Sequence, residues 1–481
     1  MRLFKLVTFF LLSLASCVYC SEAKPYYLNL QECEMMALSQ NRQILALNEL
    51  YKKAKEGKFE SISKWLPKIM AISDLFTNQE PQIFPAGKHN TFLTQLSLTQ
   101  AVFSADKYYD VKLAALQATH LDLLLQALHN DILFNVRSLY YKISLDHEMI
   151  ANAKEHIDIL RNLSDEMQYH YNIGTTILLN VNQAKVAVAN ATTIYYRRIK
   201  DLKSDRDALS ELLGYNPGEY RLEIEDDIIP LGDFDELVVK LDKVDEIFNN
   251  PINNNTLIYS EGYPKTKLDV MDKLYSYEEI ESWEKIAEKF NPILRTQFNE
   301  VAIANQEVSK QVGKYFPKVD FVANFGGQPN PYNFYPENTI GSQQFQWGVG
   351  VQATWLIFDS FGRESRLKQS RYERNSKQFD YQHSKQTTLR LIRDQIYSIE
   401  ESVANFATNE GNVILADQTL SQARDQFEIG YITIYDFQIA VNGLIEAKNK
   451  LSESAYDLVH AYYGLRHCSG IDVKAQLEKE M

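Results

Sequence analysis

The stretch Trp65–Ile69 (WLPKI) returns later in the same chain as Tyr315–Val319 (YFPKV). Three further pairs of segments follow in the same order and at a nearly constant offset: Leu96–Ser104 with Val351–Asp359, Tyr171–Thr176 with Phe427–Ile432, and Leu209–Gly214 with Leu465–Gly470. These landmarks predict two copies of one large unit, because a solenoid would repeat at a much shorter period. The structure of that unit therefore decides the fold.

The bulk composition excludes several classes of function. The formal net charge is −13 and the isoelectric point is near 5.3, which argues against nucleic acid as the main partner. No histidines or carboxylates show the spacing of metal ligands, and the sequence contains no glycine-rich loop of the Walker type. We therefore predict that the chain is not an enzyme and that it has no cofactor and no metal site.

The N-terminus predicts export. Residues 1–20 combine a basic start with a short apolar run, which is the pattern of a signal peptide. Two cleavage positions fit: 16/17, before Cys17 as in bacterial lipoproteins, and 20/21, an ordinary small-residue site. Cys17 is thus a candidate for lipidation, and the two alternatives stay open.

Each copy contains a very long amphipathic helix. Apolar residues recur at three- and four-residue steps over 121–160 in the first copy and over 389–420 in the second. A helix over 105–171 would be roughly 100 Å long at about 1.5 Å per residue. Such a length exceeds what one globular domain needs, and it is typical of a coiled coil.

A glycine interrupts the helical pattern in each copy. Gly174 and Gly430 each follow a bulky residue, and a second periodic stretch begins after them. Glycine commonly ends a helix in the left-handed conformation. We therefore predict two antiparallel helical hairpins, over 105–213 and 360–465, with their tips at these glycines.

Two strands precede each long helix. The clearest one alternates glutamine and glycine with an apolar row: Phe345, Trp347, Val349 and Val351. One interpretation is an ordinary strand pair packed on a core; the other is a membrane barrel with the apolar row facing lipid and the polar row facing a lumen. Export and the high aromatic content favour the barrel. The partner strands are predicted at 65–76 and 317–325.

These patterns predict the domain boundaries. The chain divides into a signal peptide at 1–20, a first repeat at 28–214, a linker region at 215–277, a second repeat at 278–470 and a tail at 471–481. The linker region lies outside the repeat and carries prolines, acidic runs and an asparagine cluster. We expect it to form a mixed equatorial domain.

The strand number predicts the assembly. Two strands per copy give four per chain, too few to close a barrel, and an open sheet edge cannot face lipid. Two chains would supply about eight strands, whose interior side chains fill, whereas three supply about twelve and leave a lumen. The predicted fold class is a mixed membrane α/β homotrimer: a 12-stranded β-barrel, with four strands per chain, continued by a long α-helical coiled-coil barrel.

On these residues the chain resembles the TolC-like outer membrane efflux proteins. The resemblance covers about 28–471 and rests on the paired proline motifs, the strand-to-helix segments Gln100–Ser104 and Trp355–Asp359, and the two tip glycines. It implies a homotrimeric duct in the outer membrane that extends into the periplasm. It further implies a periplasmic adaptor, an inner-membrane transporter, and export of small molecules or proteins by type I secretion or tripartite efflux.

The sequence also departs from the family. The usual Asp-Gly-Gly after the strand is replaced by Asp359–Gly362 (DSFG) in the second copy and by Ser104–Asp106 (SAD) in the first. The closing Leu-Leu-Gly becomes Cys468–Gly470 (CSG) in the second copy. These departures affect local details more than the fold.

The resemblance implies a channel constriction just after the second tip. Asp436 matches the first of the acidic residues that ring it, whereas the second position falls on Ile439, so one carboxylate per chain is expected. The plainer interpretation of Asp436 is a solvated charge in the first turn of a helix, which the helix dipole favours. Asn180 is the uncharged counterpart in the first copy and the weaker candidate.

The hairpin tips are candidates for adaptor contact. Their central residues are Gly174 and Thr175 in the first copy and Gly430 and Tyr431 in the second. The plainer interpretation is that the glycines only turn the chain. Both roles are compatible, because a tight turn is also a surface that a partner can bind.

One alternative function remains at this stage: a non-pore periplasmic coiled-coil adaptor or structural stalk protein. Such adaptors also carry helical hairpins. They normally have one, flanked by lipoyl-like and barrel modules, whereas this sequence predicts two hairpins and no such module. The channel is therefore the favoured interpretation.

Overall fold

The computed structural model describes residues 25–79, 88–218, 221–224, 275–328 and 344–473. The predicted signal peptide with Cys17, most of the predicted linker region and the proline-rich loops between paired strands lie outside these residues. The described elements follow in this order: β1 (Pro25–Leu28), α1 (Leu30–Gln40), α2 (Arg42–Ser63), β2 (Lys68–Gln79), β3 (Lys88–Phe103), α3 (Ala105–Asn172), α4 (Leu178–Leu212), β4 (Arg221–Ile224), α5 (Tyr277–Phe290), α6 (Pro292–Gly313), β5 (Lys318–Gln328), β6 (Gln344–Thr354), α7 (Gly362–Glu428) and α8 (Ile434–Ser469).

The chain divides into two compact units. The strand unit takes residues 46–127 and 288–388. The hairpin unit takes residues 1–45, 128–287 and 389–481, so far as these are described. The sheet lies in the first unit and both hairpin tips lie in the second.

The strand unit contains a four-stranded antiparallel sheet in the order β2-β3-β5-β6. Each copy of the repeat supplies one pair of neighbouring strands, as the sequence predicts. The β3–β5 pairing joins the two copies, with Leu98 opposite Ala323. A register shift between Ala101 and Phe103 marks the point where β3 approaches α3. β2 and β6 are the edge strands, and neither has a second partner strand among the described residues.

Helix α6 packs closely on α3 within the strand unit. A Cβ on Gly313 would lie only 3.1 Å from side-chain atoms of Ala105 and Tyr109, so glycine is what this close approach requires. The amide of Asn299 donates to the carbonyl of Leu116 at 3.0 Å, which fixes the two helices along their length. These contacts hold the first part of α3, which directly follows β3 in the sequence, against α6.

The two predicted helical hairpins are present. α3 has 68 residues and is followed by α4 with 35, and α7 has 67 residues and is followed by α8 with 36. Apolar residues at three- and four-residue steps of the predicted stripes are buried in the hairpin unit: Ile132, Val136, Ile143, Ile157 and Leu160 on α3, and Ile392, Ile396, Ile399 and Val403 on α7. None of the helices that the structure describes is both long and apolar enough to cross a membrane.

Two features of the hairpin unit are absent from the sequence-based prediction. β1 pairs with β4 in parallel, and β4 falls inside the predicted linker region. Arg137 on α3 donates from Nε to Glu34 and from Nη1 to Asp472, each at 2.6 Å. Residues 471–473, at the start of the predicted tail, are helical, and Asp472 also accepts from Arg466. Both ends of the described chain are thus held at one guanidinium group.

Candidate functional site

The first hairpin tip is closed by a glycine in the left-handed conformation. Gly174 has a φ of +79°, and its amide donates to the carbonyl of Tyr171 at 3.0 Å. The amide of Thr175 donates to the carbonyl of His170 at 2.9 Å. These two bonds form a Schellman motif, which satisfies the last free carbonyls of α3.

The second tip has the same backbone. Gly430 has a φ of +76°, and its amide donates to the carbonyl of Phe427 at 2.9 Å. The amide of Tyr431 donates to the carbonyl of Gln426 at 2.8 Å. The duplicated sequence therefore produces the same turn twice, because glycine adopts this conformation without a steric penalty.

The start of α8, after the second tip, carries a capping box. The side chain of Thr433 accepts from the amide of Asp436 at 3.3 Å, and the carboxylate of Asp436 accepts from the amide of Thr433 at 3.0 Å. The same carboxylate oxygen also accepts from the Thr433 hydroxyl at 2.6 Å. These bonds satisfy two backbone donors of the helix start.

The start of α4, after the first tip, is built differently. Ile177 takes the N-cap position and its side chain makes no capping bond. Asn180 donates from its amide to the Thr176 hydroxyl at 2.9 Å. The Thr175 hydroxyl instead donates back to the carbonyl of His170 at 3.0 Å. Polar side chains thus stabilise the end of α3 rather than the start of α4.

Asp436 is an ionised carboxylate on the surface of this chain. The hydrogen bonds from Thr433 hold its pKa below the usual range, because they stabilise the charged form. Both hydrogen bonds from Thr433 go to Oδ2. The structure therefore places Asp436 where a first-turn charge belongs, and it leaves the carboxylate exposed to solvent.

One apolar cluster packs the two tips together. Phe427 and Phe437 stack across the second tip with ring centroids 5.3 Å apart. Val181, next to Asn180, belongs to the same cluster as Phe437, next to Asp436. The buried residues of this cluster come from α3, α4 and α8: Ile157, Leu160, Leu163, Met167, Val181, Ala184, Ala191, Ile434, Phe437 and Val441. The two constriction candidates are therefore carried by helix starts that share one core.

Large apolar side chains surround both tips and face solvent. The first tip exposes Ile173, Ile177, Leu178 and Leu179, and the second exposes Ile429, Tyr431, Tyr435 and Ile439. Thr175 and Tyr431 occupy the same position after the tip glycine. An exposed apolar surface of this kind is typical of an interaction site.

The apolar row predicted on β6 is exposed in this chain. The exposed fractions are 76% for Trp347, 59% for Val349 and 69% for Val351. The side-chain environment of Phe345 lies outside the described residues. The intervening Gly348 and Gly350 point to the opposite face, where a Cβ would meet no atom within 4 Å.

A buried carboxylate next to a second, partly exposed one was not predicted. Asp146 on α3 is only 2% exposed and faces Asp205 on α4. Burial, and then the charge and hydrogen bond of Asp205, raise the pKa of Asp146 to about 7; Asp201 adds to this effect and Lys142 opposes it. No local pattern signals such a pair, because the two residues lie on different helices.

Comparison with known proteins confirms the predicted family resemblance. The family model described as "Outer membrane efflux protein" matches residues 285–470. The alkaline protease secretion protein AprF of Pseudomonas aeruginosa is 24% identical over 197 residues, which are 41% of this chain. That match spans only 40% of the length of AprF. The outer membrane protein TolC of Escherichia coli is 18% identical over 375 residues, covering 76% of this chain and 67% of TolC.

A solved structure confirms the fold class. The outer membrane protein VceC of Vibrio cholerae superposes with a TM-score of 0.71 over 92% of this chain and 96% of VceC, at 15% identity. The similarity extends over both copies of the repeat and is not limited to residues 285–470. The chain is TolC-like in fold.

Proposed function

We propose that this TolC-like chain forms a homotrimeric channel in the outer membrane that extends into the periplasm. It is the exit duct of a type I secretion or tripartite efflux system. A periplasmic adaptor protein and an inner-membrane transporter complete the system, and the exported cargo is small molecules or proteins.

The open sheet is the observation that carries this proposal. Four strands with two free edges cannot stand alone in lipid, because each unpaired backbone group there costs several kcal/mol. Pairing of β6 with β2 of a second copy removes both edges when the ring closes. Three copies give three times four strands, which leaves a lumen.

Asp436 supports a selective constriction at the tips. Its carboxylate is exposed and ionised, and the capping box holds it at the first turn of α8. In a trimer three such carboxylates surround one axis, where they attract cations and repel anions. Asn180, on the helix start that shares the same apolar core, adds polarity without charge.

The tips also supply the surface for an adaptor. Gly174 and Gly430 close two tight turns, and Thr175 and Tyr431 follow them at the same position. The exposed apolar side chains around both tips would be buried by a helical partner. Because the two tips share one backbone, one adaptor hairpin could bind either.

The relatives indicate the range of cargo. AprF is named for alkaline protease secretion, which is export of a protein. The matching family model is named for efflux. Both kinds of transport require the same duct, and the transporter selects the cargo.

Two measurements on the purified full-length protein test the proposal. The mass in detergent should correspond to three chains. In planar bilayers the trimer should conduct ions with a preference for cations, and Asp436→Asn should weaken that preference as a shift of the reversal potential. Glu446→Gln is the matched control, because Glu446 is an exposed carboxylate further along α8 that pairs with Lys450.

The outcomes separate the parts of the proposal. A detergent-independent soluble monomer without conductance would support the adaptor or stalk alternative. A conducting trimer whose selectivity is unchanged by Asp436→Asn would remove only the constriction assignment.

A further inference from the structure

An exposed apolar patch follows β6, before α7 begins. The exposed fractions of its large side chains lie between 53% and 75%. We define this junction patch as Trp355, Leu356, Ile357, Phe358 and Phe361. Phe358 and Phe361 contact each other edge to face, with ring centroids 5.8 Å apart. Five large apolar groups facing solvent in seven residues require a partner of apolar character.

The backbone of the patch adopts an unfavourable conformation. Ser360 and Phe361 have φ values of 55° and 65°, and they are the only non-glycine residues with positive φ in the described chain. A bulky aromatic residue in this region is an outlier, and such strain persists only where the surroundings enforce it. The first copy passes from Phe103 to α3 without any residue of this kind.

Specific bonds hold the strained segment. The Asp359 carboxylate accepts from the Arg363 amide at 3.2 Å and from the Arg366 guanidinium at 2.9 Å. Arg363 also donates to the carbonyl of Ile357 at 2.7 Å. The indole of Trp355 donates to the carbonyl of Tyr315 at 3.0 Å. These hydrogen bonds fix the backbone of the junction patch, while its apolar side chains stay exposed to solvent.

The position of the patch along the chain sets its depth, if the chain spans the outer membrane as proposed. β6 has 11 residues, which is the length that a tilted strand needs to cross the hydrocarbon core. Trp347, Val349, Val351 and Ala353 occupy alternate positions on β6, and Trp355 is the next odd-numbered residue, directly after the strand. Residues 355–361 then follow at the depth of the lipid headgroups.

The charges beside the patch fit that location. Arg366, Lys368 and Arg371, in the first turns of α7, are all exposed. Exposed basic residues next to a bilayer attract anionic headgroups. Aromatic side chains prefer the same interface, because they combine an apolar body with a face that tolerates polar neighbours.

We propose that the junction patch anchors each chain in the headgroup layer of the periplasmic leaflet, where it binds anionic phospholipid. Phe361 and Phe358 insert among the headgroups, and Arg366, Lys368 and Arg371 contact their phosphates. This anchor rests on the proposed outer-membrane channel, and its left-handed Phe361 has no counterpart in the first copy. It fixes the height of the junction at which the barrel passes into the helices.

Spin labelling of the full-length protein tests the anchor. Nitroxide labels are placed at Phe361→Cys, at Val349→Cys as the lipid reference and at Tyr431→Cys as the aqueous reference. Each variant also carries Cys468→Ser, and the same protein without an introduced cysteine gives the labelling blank. Cys33 is fully buried, and burial raises its thiol pKa to about 12, so it does not compete for the label.

The protein is reconstituted in vesicles of phosphatidylethanolamine and phosphatidylglycerol. Collisions are measured with oxygen, with a soluble nickel chelate and with a nickel chelate attached to lipid headgroups. The label at position 361 should collide several-fold more with the headgroup chelate than with the soluble chelate. That excess should fall when Lys368→Gln and Arg371→Gln are added, or when phosphatidylcholine replaces phosphatidylglycerol.

Two results would overturn the anchor. If the label at position 361 has the same collision rates as the label at position 431, the patch lies in water. If it is shielded from all three reagents, the patch packs against another protein chain. The label at position 349 distinguishes a failure of the anchor from a failure of the proposed function. If the label there favours the soluble chelate over oxygen, β6 does not face lipid and the channel itself is rejected.

Discussion

The two helical hairpins have the same backbone and different polar chemistry. At the tips, both glycines make the same Schellman motif, but only the second hairpin continues with a capping box between Thr433 and Asp436. Nearer the middle of the helices, the first hairpin buries Asp146 against Asp205. The corresponding positions of the second hairpin are Ser402 and Ala461, at the offset that relates the two tips.

This difference shows which features duplication preserves. Helix length, the apolar stripe and the tip glycine are shared, because each copy must pack in the same way. The two carboxylates compared above are not shared: Asp436 corresponds to Asn180, and Asp146 corresponds to Ser402. The second hairpin places a carboxylate in the capping box after its tip, whereas the first buries one, Asp146, between its helices.

The largest expected effect concerns the Asp146–Asp205 pair in the first hairpin. The pKa of Asp146 is raised from 3.8 to about 7, so the folded chain holds a proton that the unfolded chain releases. The resulting stability is fully present below about pH 4 and is lost as the pH rises through about 7, an effect on the order of 4 kcal/mol. Hydrogen exchange of α3 and α4, corrected for intrinsic rates, should therefore increase from pH 5 to pH 8, while α7 serves as the internal reference.

Asp146→Asn sharpens this test. The amide keeps the size of the side chain but cannot ionise, so protection of α3 and α4 should become independent of pH over this range. An unchanged pH dependence in Asp146→Asn would show that another group carries it. Tyr456 on α8 also borders the pair, and it titrates well above this window, because burial raises its pKa.

Replacing either tip glycine, Gly174 or Gly430, by alanine should lower local stability by the same amount, which is smaller than the pH effect above. No atom lies within 4 Å of a Cβ at Gly174 or Gly430, so alanine there strains only the backbone. Each substitution should cost about 1–2 kcal/mol of local stability, measured as faster exchange at the end of the preceding helix. Gly411→Ala is the control: this glycine is in the middle of α7, has open space around it and should gain about 0.5–1 kcal/mol. Unequal losses at the two tips would contradict their equivalence.

The smallest expected effect is on the stability of the first turns of α8 and α4, which differ in their side-chain caps. Thr433→Ala should destabilise the first turn of α8 by about 1 kcal/mol, because it removes the side-chain cap. Ile177→Ala should leave α4 almost unchanged, since no cap is lost. Ile177→Thr combined with Asn180→Asp should build the missing box and slow exchange at the start of α4. If that double variant exchanges as fast as the parent, the tips differ by more than their caps.

The sequence predicts much of the fold, because the decisive signals are local. The apolar periodicity of α3 and α7 marks helices, the alternation on β6 marks a strand, and Gly174 and Gly430 mark turns that only glycine makes easily. The repeat itself then predicts that whatever one copy forms, the other forms too. Comparison with VceC confirms the fold class that follows from these signals.

The remaining features depend on contacts between residues far apart in sequence. The β3–β5 pairing that joins the copies, the parallel β1–β4 pair and the Asp146–Asp205 pair have no local pattern. The left-handed Phe361 contradicts ordinary residue preferences, so no propensity could predict it. Asp436 was identified from the family resemblance, and its role at a constriction stays a prediction.

Arg137 has a consequence for the kinetics of folding. Its guanidinium binds Glu34 near the start of the described chain and Asp472 near its end. Contacts of such high sequence separation form late, because the closing of a long loop costs entropy that no local gain offsets. In a chain that emerges from its N-terminus, Arg137 can therefore bind Glu34 well before residue 472 is made. Until then Arg137 lacks its second carboxylate, Asp472.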